Sequence, residues 1–105
     1  MKLLSIDHIP GKEIEALDIV KGTVVHTKNV GRDFMAAMKT LVGGELVGYT
    51  QMLNEARQIA VKRMVDEAET LGADAIVNVR YGTSSVMSGA AEVIAYGTAV
   101  KIINS

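Results

Sequence analysis

Between Gln51 and Leu71 the residues Leu53, Ala56, Ala60, Met64, Ala68 and Leu71 recur at the spacing of one helical face, broadened by Met52 and Ile59. Glu55, Lys62, Asp66 and Glu69 fall on the opposite side. Nothing else constrains the chain as tightly, because a helix with one apolar side must lie on something flat and apolar. Thr50 is the expected N-cap and Gly72 the expected left-handed C-cap. Leu53, Ala60, Met64 and Leu71 are expected to face the core, and Arg63 and Glu67 are spaced to pair along the helix. A shorter amphipathic segment precedes it, from Arg32 to Val42, with Phe34, Met38, Leu41 and Val42 at helical spacing. Gly43-Gly44 stops that segment and makes a hinge, and Glu45–Tyr49 reads as a connector.

Strand-like sequence flanks both helices. Lys2–Ile6 is a short strand and Ile9-Pro10-Gly11-Lys12 a turn. Glu13–Lys28 is rich in Val, Ile and Thr, with Gly22 as a bulge or a point of close approach. Ala75–Tyr81 alternates, with Ala75, Val77, Val79 and Tyr81 on one face and Ile76, Asn78 and Arg80 on the other. Thr83–Met87 is a possible further strand. Glu92–Ile103 is the clearest, with Ile94, Tyr96, Thr98, Val100 and Ile102 alternating. The order β-β-α-α-β-(β)-β predicts an α+β fold, a largely antiparallel sheet covered on one face by two helices. A helix over Gln51–Leu71 spans ~30 Å while a strand over Ala75–Tyr81 spans only ~23 Å. The overhang would need a neighbouring subunit to cover it.

The chain has 105 residues, which predicts one domain over 1–105. Aromatic residues are 4% of it and Trp is absent, so the core is aliphatic and a base-stacking surface is poorly supplied. A net charge of −1 gives no basic excess for phosphate backbones, and no nucleic-acid partner is expected. There is no cysteine, which removes disulfides, thiolate metal sites and thiol nucleophiles and suits a cytoplasmic location. No apolar stretch approaches the ~20 residues of a membrane helix, and the first residues are too short a run for a signal peptide.

Chemistry-bearing residues are sparse. His8 and His26 are the candidate metal ligands, eighteen positions apart and joined by no local ligand spacing. The six methionines, including Met35, Met38, Met52 and Met64, read as packing groups more readily than as thioether ligands. Gly43, Gly44 and Gly48 follow a helix and lack a closing Lys-Ser/Thr pair, so they do not form a phosphate loop. Thr83-Ser84-Ser85 has no neighbouring His and no nucleophile elbow. Asp33, Glu45, Asp74 and Glu92 sit near element ends, as caps and turn residues do. Arg80 is expected in solvent; if its face is buried between subunits it needs a carbonyl or an acidic partner such as Glu92.

Several short motifs follow in close order. They are Gly31-Arg32-Asp33-Phe34, Val42-Gly43-Gly44-Glu45-Leu46, Tyr49-Thr50 and Glu55-Ala56-Arg57. Leu71-Gly72-Ala73-Asp74-Ala75 and Ala95-Tyr96-Gly97-Thr98-Ala99-Val100 complete the series. Together they resemble the YbjQ-like family of small uncharacterised bacterial proteins, over essentially the whole chain. That family is described as a heavy-metal-binding domain. The resemblance implies an α+β subunit assembled into a homo-oligomeric ring, a pentamer. It implies no catalytic residue, and its metal label finds no Cys here.

These observations favour a non-enzymatic cytoplasmic protein that forms a homo-oligomeric ring and binds a metal ion or small ligand at subunit interfaces. Two other readings stand beside it: an enzyme whose active site is assembled between subunits, and a purely structural or interaction module. Glu92–Ile103, apolar almost to the C-terminus, is the expected intersubunit contact.

Overall fold

A computed structural model describes residues 1–26, 45–87 and 90–104. The helix expected over Arg32–Val42, its Gly43-Gly44 hinge and Met35 and Met38 lie outside these residues. Strands β1 (Lys2–Leu3) and β2 (Glu13–His26) come first, then helix α1 (Glu45–Thr70), then β3 (Ala75–Met87) and β4 (Ala90–Asn104). The sheet order is β1-β3-β4-β2, with β1 parallel to β3 and the other pairs antiparallel. The fold is therefore α+β, with one helix among the described residues on a four-stranded mixed sheet.

The helix starts earlier than its caps suggested. Glu45–Tyr49 is helical and Thr50 lies inside α1, not at its start. The run contains no Pro, Gly48 alone costs only ~1 kcal/mol in a helix, and Glu45 suits the positive end of the dipole. At the other end Gly72 has φ 74°. The Gly72 amide donates to Glu69 O (3.0 Å) and the Ala73 amide to Ala68 O (3.2 Å). This paired closure is a Schellman motif, and it releases the chain toward β3.

Thr83–Met87 is not a separate strand. It continues Ala75–Tyr81, so β3 has 13 residues and the helix 26. At ~3.3 Å and ~1.5 Å per residue these are nearly equal lengths, and the expected overhang disappears. The alternation of β3 also changes partway along. Asn78 has φ 55°, the left-handed region that Asn enters more readily than most residues. The pairing passes from Val77 opposite Thr98 to Arg80 opposite Tyr96, leaving one extra residue on β3. This is a β-bulge, and it reverses the faces of everything beyond it. Ile76, Val79 and Tyr81 therefore share the helix side, while Ala75, Val77 and Arg80 share the other. The simple alternation, which put Arg80 with Ile76 and Tyr81 with Val77, holds only as far as Val77.

The helix presents a narrow stripe of Ala56, Ala60, Met64 and Ala68, all fully buried. Leu71 lies beyond the helix end and is 42% exposed, so it does not face the sheet as expected. Against the stripe pack Val20, Ile76, Ala95 and Ala99. Small residues on both sides let backbones approach, most closely at Gly22, which is a contact point and not a bulge; it pairs in register with Ala95. Among the described residues the far face is covered at one end. There Ile9, in the β1–β2 loop, packs on Ala75, Val77 and Val100 with support from Leu4, Ile14 and Ile102. Pro10-Gly11 then turns the chain, with the Lys12 amide on Ile9 O (3.0 Å) and φ 76° at Gly11.

β4 is an inner strand, hydrogen-bonded on both sides. It cannot offer a free edge to a neighbour, so an intersubunit contact by Glu92–Ile103, as expected from the sequence, would use a face of the strand and not its edge. Deleting Val100–Ser105 would remove buried Val100 and pairs to both β2 and β3, and so attack the fold itself.

Candidate functional site

Two places in this fold carry more polar or apolar groups than packing requires. One is the pair of sheet edges and the other is the uncovered middle of the far face.

The edge of β2 is sealed by side chains. Asp18 Oδ1 accepts from the Ile19 amide (2.7 Å), and Glu67 Oε1 accepts from the Lys21 amide (3.3 Å). The Arg63 guanidinium donates to Thr23 O. Arg63 and Glu67 thus reach across to β2, while the i,i+4 ion pair on the helix is Lys62–Asp66 at 3.1 Å. With two amides and one carbonyl of the Ile19–Thr23 stretch engaged, that part of the edge is a poor template for another strand.

The edge of β3 differs along its length. Its first half is occupied: the Leu4 amide donates to Ile76 O, the Asn78 amide to Ile6 O and the Val79 amide to Leu4 O, each at 2.9 Å. The outward set after Val79 is Tyr81, Thr83 and Ser85, since outward groups alternate along a strand. These have no backbone partner on that side among the described residues. Tyr81 is 56% exposed and, with Asn54, Arg57, Gln58, Val61 and Lys62 of α1, lines a hollow of about 510 Å³ beside this edge.

The far-face hollow is about 360 Å³ and is lined by Ile19, Asn78, Arg80, Tyr96, Gly97 and Thr98. The bulge puts Arg80 directly across from Tyr96. Arg80 Nη1 donates to Ser5 O (2.7 Å) and to Val79 O (3.0 Å), which pins the guanidinium. Its partners are carbonyls, and Glu92, considered from the sequence, stands four residues along β4 opposite Ser84. Ile19 is 71% and Tyr96 41% exposed. The row Ile94, Tyr96, Thr98 is thus the face turned from the helix, while Ala95 and Ala99 lie beneath it.

The candidate metal ligands do not meet. His8 Nδ1 contacts Asp7 Oδ1 at 2.9 Å, with both side chains exposed. That hydrogen bond, and then the charge of His8, hold the Asp7 carboxyl below its ordinary value. His26 ends β2 opposite Ala91, whereas the Ile6 end of the first loop bonds beside Val77 and Thr98. The seven steps along β4 from Ala91 to Thr98 correspond to ~23 Å at ~3.3 Å per residue. No group of three His, Cys, Asp or Glu side chains among the described residues is arranged to hold a metal. The donors of the described residues therefore do not form the clustered soft set that a heavy metal calls for. Asp74 is a structural turn residue: its Oδ2 accepts from the Ile102 amide at 2.8 Å.

Sequence reasoning had Arg80 and Asn78 as residues of interest but missed that Arg80 meets Tyr96. The available signal was Asn in a run of β-branched residues, a residue type that tolerates positive φ. Arg57 and Lys62 beside Tyr81 carried no signal, since they are ordinary polar residues of a helix.

No described helix is long and apolar enough to cross a membrane. Comparison with known proteins agrees with the geometry. A crystal structure of a protein of unknown function of the DUF74 family, from Pediococcus pentosaceus, shares the fold with a TM-score of 0.68. It covers 97% of each chain at 18% identity, so the likeness is one of fold. A UPF0145 protein of Clostridium novyi (strain NT) is 61% identical over 103 residues, 98% of this chain and 100% of that one. Another, from Alkaliphilus metalliredigens (strain QYMF), is 56% identical over 98% of this chain and 100% of its own. A third, from Thermotoga maritima, is 55% identical over 97% of each. A family model described as "Putative heavy-metal-binding" matches residues 1–103. With near full-length matches at this identity, the chain belongs to the YbjQ-like family.

Proposed function

We propose that this protein is a non-enzymatic, cytoplasmic building block that closes into a homo-oligomeric ring of five subunits. One observation supports the ring above others: the two edges of the sheet are unlike. β2 is sealed by Asp18, Arg63 and Glu67, while β3 from Tyr81 onward has no strand beside it among the described residues. An open β3 edge can receive another copy of the chain. A head-to-tail contact between that edge and a different surface of the next copy closes as a ring when the rotation permits, and the choice of a ring over a two-fold pairing of two β3 edges comes from the family resemblance. The number five comes from the family resemblance alone.

Light scattering at micromolar concentration tests this directly. The expected mass is five times the 11.2 kDa of one chain. A monomer overturns the ring, and another closed number overturns only the count. Thr83→Pro removes an outward amide while leaving the β4 side of β3 intact, a position where Pro is tolerated in edge strands. It is expected to shift the mass toward the monomer without loss of far-ultraviolet circular dichroism.

Metal is not part of the proposed architecture. Exhaustive dialysis against a chelator is expected to leave both mass and thermal midpoint unchanged. A drop in either would reveal a structural metal, because such a site contributes directly to folding free energy.

A further inference from the structure

We infer that the far-face hollow at the β3 bulge is a binding site for a small carboxylate with an apolar, preferably aromatic, body. The inference goes beyond the ring and does not depend on it.

The bulge is the starting observation. Asn78 holds φ 55°, a conformation that costs a non-glycine residue energy and persists only where the surroundings impose it. Its effect is to bring Arg80 across from Tyr96 on the face turned from the helix. Were the same residues to alternate without a bulge, Arg80 would share the helix side with Ile76, over the apolar core. Bulges commonly re-aim a side chain in this way.

The guanidinium is then held in place. Nη1 is engaged by Ser5 O and Val79 O. The side-on pair, Nε and Nη2, has no protein acceptor among the described residues. That pair is the planar fork that matches the two oxygens of a carboxylate. An Arg already tethered loses less side-chain freedom on binding than a free one.

The rest of the lining sets the ligand's body. Ile19 and the Tyr96 ring are apolar surfaces left in solvent, and Asn78 and Thr98 add polar groups at the margin. A volume of about 360 Å³ accommodates a ring bearing a carboxylate and falls at the small end of the ~300–1,000 Å³ range of ligand sites. A bare inorganic anion would use the Arg but leave the apolar surface uncovered. A neutral hydrocarbon would leave the fork unmatched.

The test is a titration of the intact chain with benzoate, followed by amide chemical shifts, with acetate and inorganic phosphate as comparison probes. Benzoate is expected to give saturable shifts centred on Ile19, Asn78, Tyr96 and Thr98. Its affinity is expected to fall at least tenfold in Arg80→Gln, and Tyr96→Ala is expected to weaken benzoate more than acetate. Arg80→Lys keeps the charge but not the fork, and is expected to behave like Arg80→Gln. Unshifted spectra outside the hollow serve as the control that each variant is folded. Absent or unsaturable shifts, equal binding by Arg80→Gln, or phosphate binding as tightly as benzoate would each overturn the assignment. Because mass is read separately, a monomer that still binds benzoate overturns the ring alone, and a pentamer that does not bind overturns the site alone.

Discussion

Replacing Gly22 by alanine is expected to lower the unfolding free energy by more than about 3 kcal/mol, beyond the usual effect of one extra methyl in a core. The new Cβ would stand 2.0 Å from Ala60 O, 2.5 Å from Met64 N and 2.8 Å from Arg63 Cβ. Two of these three atoms are helix backbone, which cannot rotate away. The helix would have to lift from β2, parting Val20 from Ala60 and Met64 and drawing Arg63 and Glu67 off the strand edge they seal. Against a total stability of ~5–15 kcal/mol this is a severe loss. Gly82→Ala is the useful comparison, since its Cβ would meet only the Ile94 Cγ2 methyl, at 3.2 Å. Urea unfolding at fixed protein concentration measures both. A Gly22→Ala loss no larger than that of Gly82→Ala would mean that the helix does not sit on β2 as described.

Met64→Ala is expected to cost about 2–5 kcal/mol, the range for emptying a buried aliphatic site. Met64 is fully buried and is one of the four largest side chains in that condition, in a helix stripe otherwise made of alanines. Those alanines cannot move in to fill the space, so the cavity would persist. Met64→Leu keeps the volume and is expected to cost less than about 1.5 kcal/mol. Leu71→Ala, at a site 42% exposed, is expected to stay within about 0.5 kcal/mol. Thermal or denaturant unfolding separates these outcomes. A Met64→Ala loss as small as that of Leu71→Ala would contradict the packing of α1.

The sequence showed the helix stripe clearly because Ala56, Ala60, Met64 and Ala68 obey a single period from end to end. It showed the Gly72 stop because a left-handed C-cap is a local demand met by one residue type. It was silent on the true start of α1, since Leu46 and Val47 suit a helix and a connector alike. The face of β4 that meets the helix was also concealed. Ala95 and Ala99 are the less apolar row, yet they are the one that meets the helix, because a close-lying helix needs small residues beneath it. Arg80's meeting with Tyr96 depended on a one-residue slip in β3, and a slip of phase is invisible to any count of alternating residues. Edge sealing by Arg63 and Glu67 was hidden for another reason: the two residues contact a strand some forty positions away in the chain.

Asn78 also changes how β3 tolerates mutation. A strand is read in twos, and Asn78 acts on it as a frameshift: before it the even-numbered Ile76 serves the helix-side core and Ala75 and Val77 the far-side core, and after it the odd-numbered Val79 takes the helix side. Substitutions along β3 should therefore be comparatively forgiving, since each disturbs one side chain. Loss of a single residue between Val77 and Arg80 should be forgiving too, because it would remove the bulge and leave Arg80 still opposite Tyr96. Loss of one residue between Arg80 and Ser84 should not be, because it would slip the pairing by one and exchange the faces of the residues beyond the gap. In this protein β3 has its slack at the bulge, and elsewhere its length is under tighter constraint than its spelling.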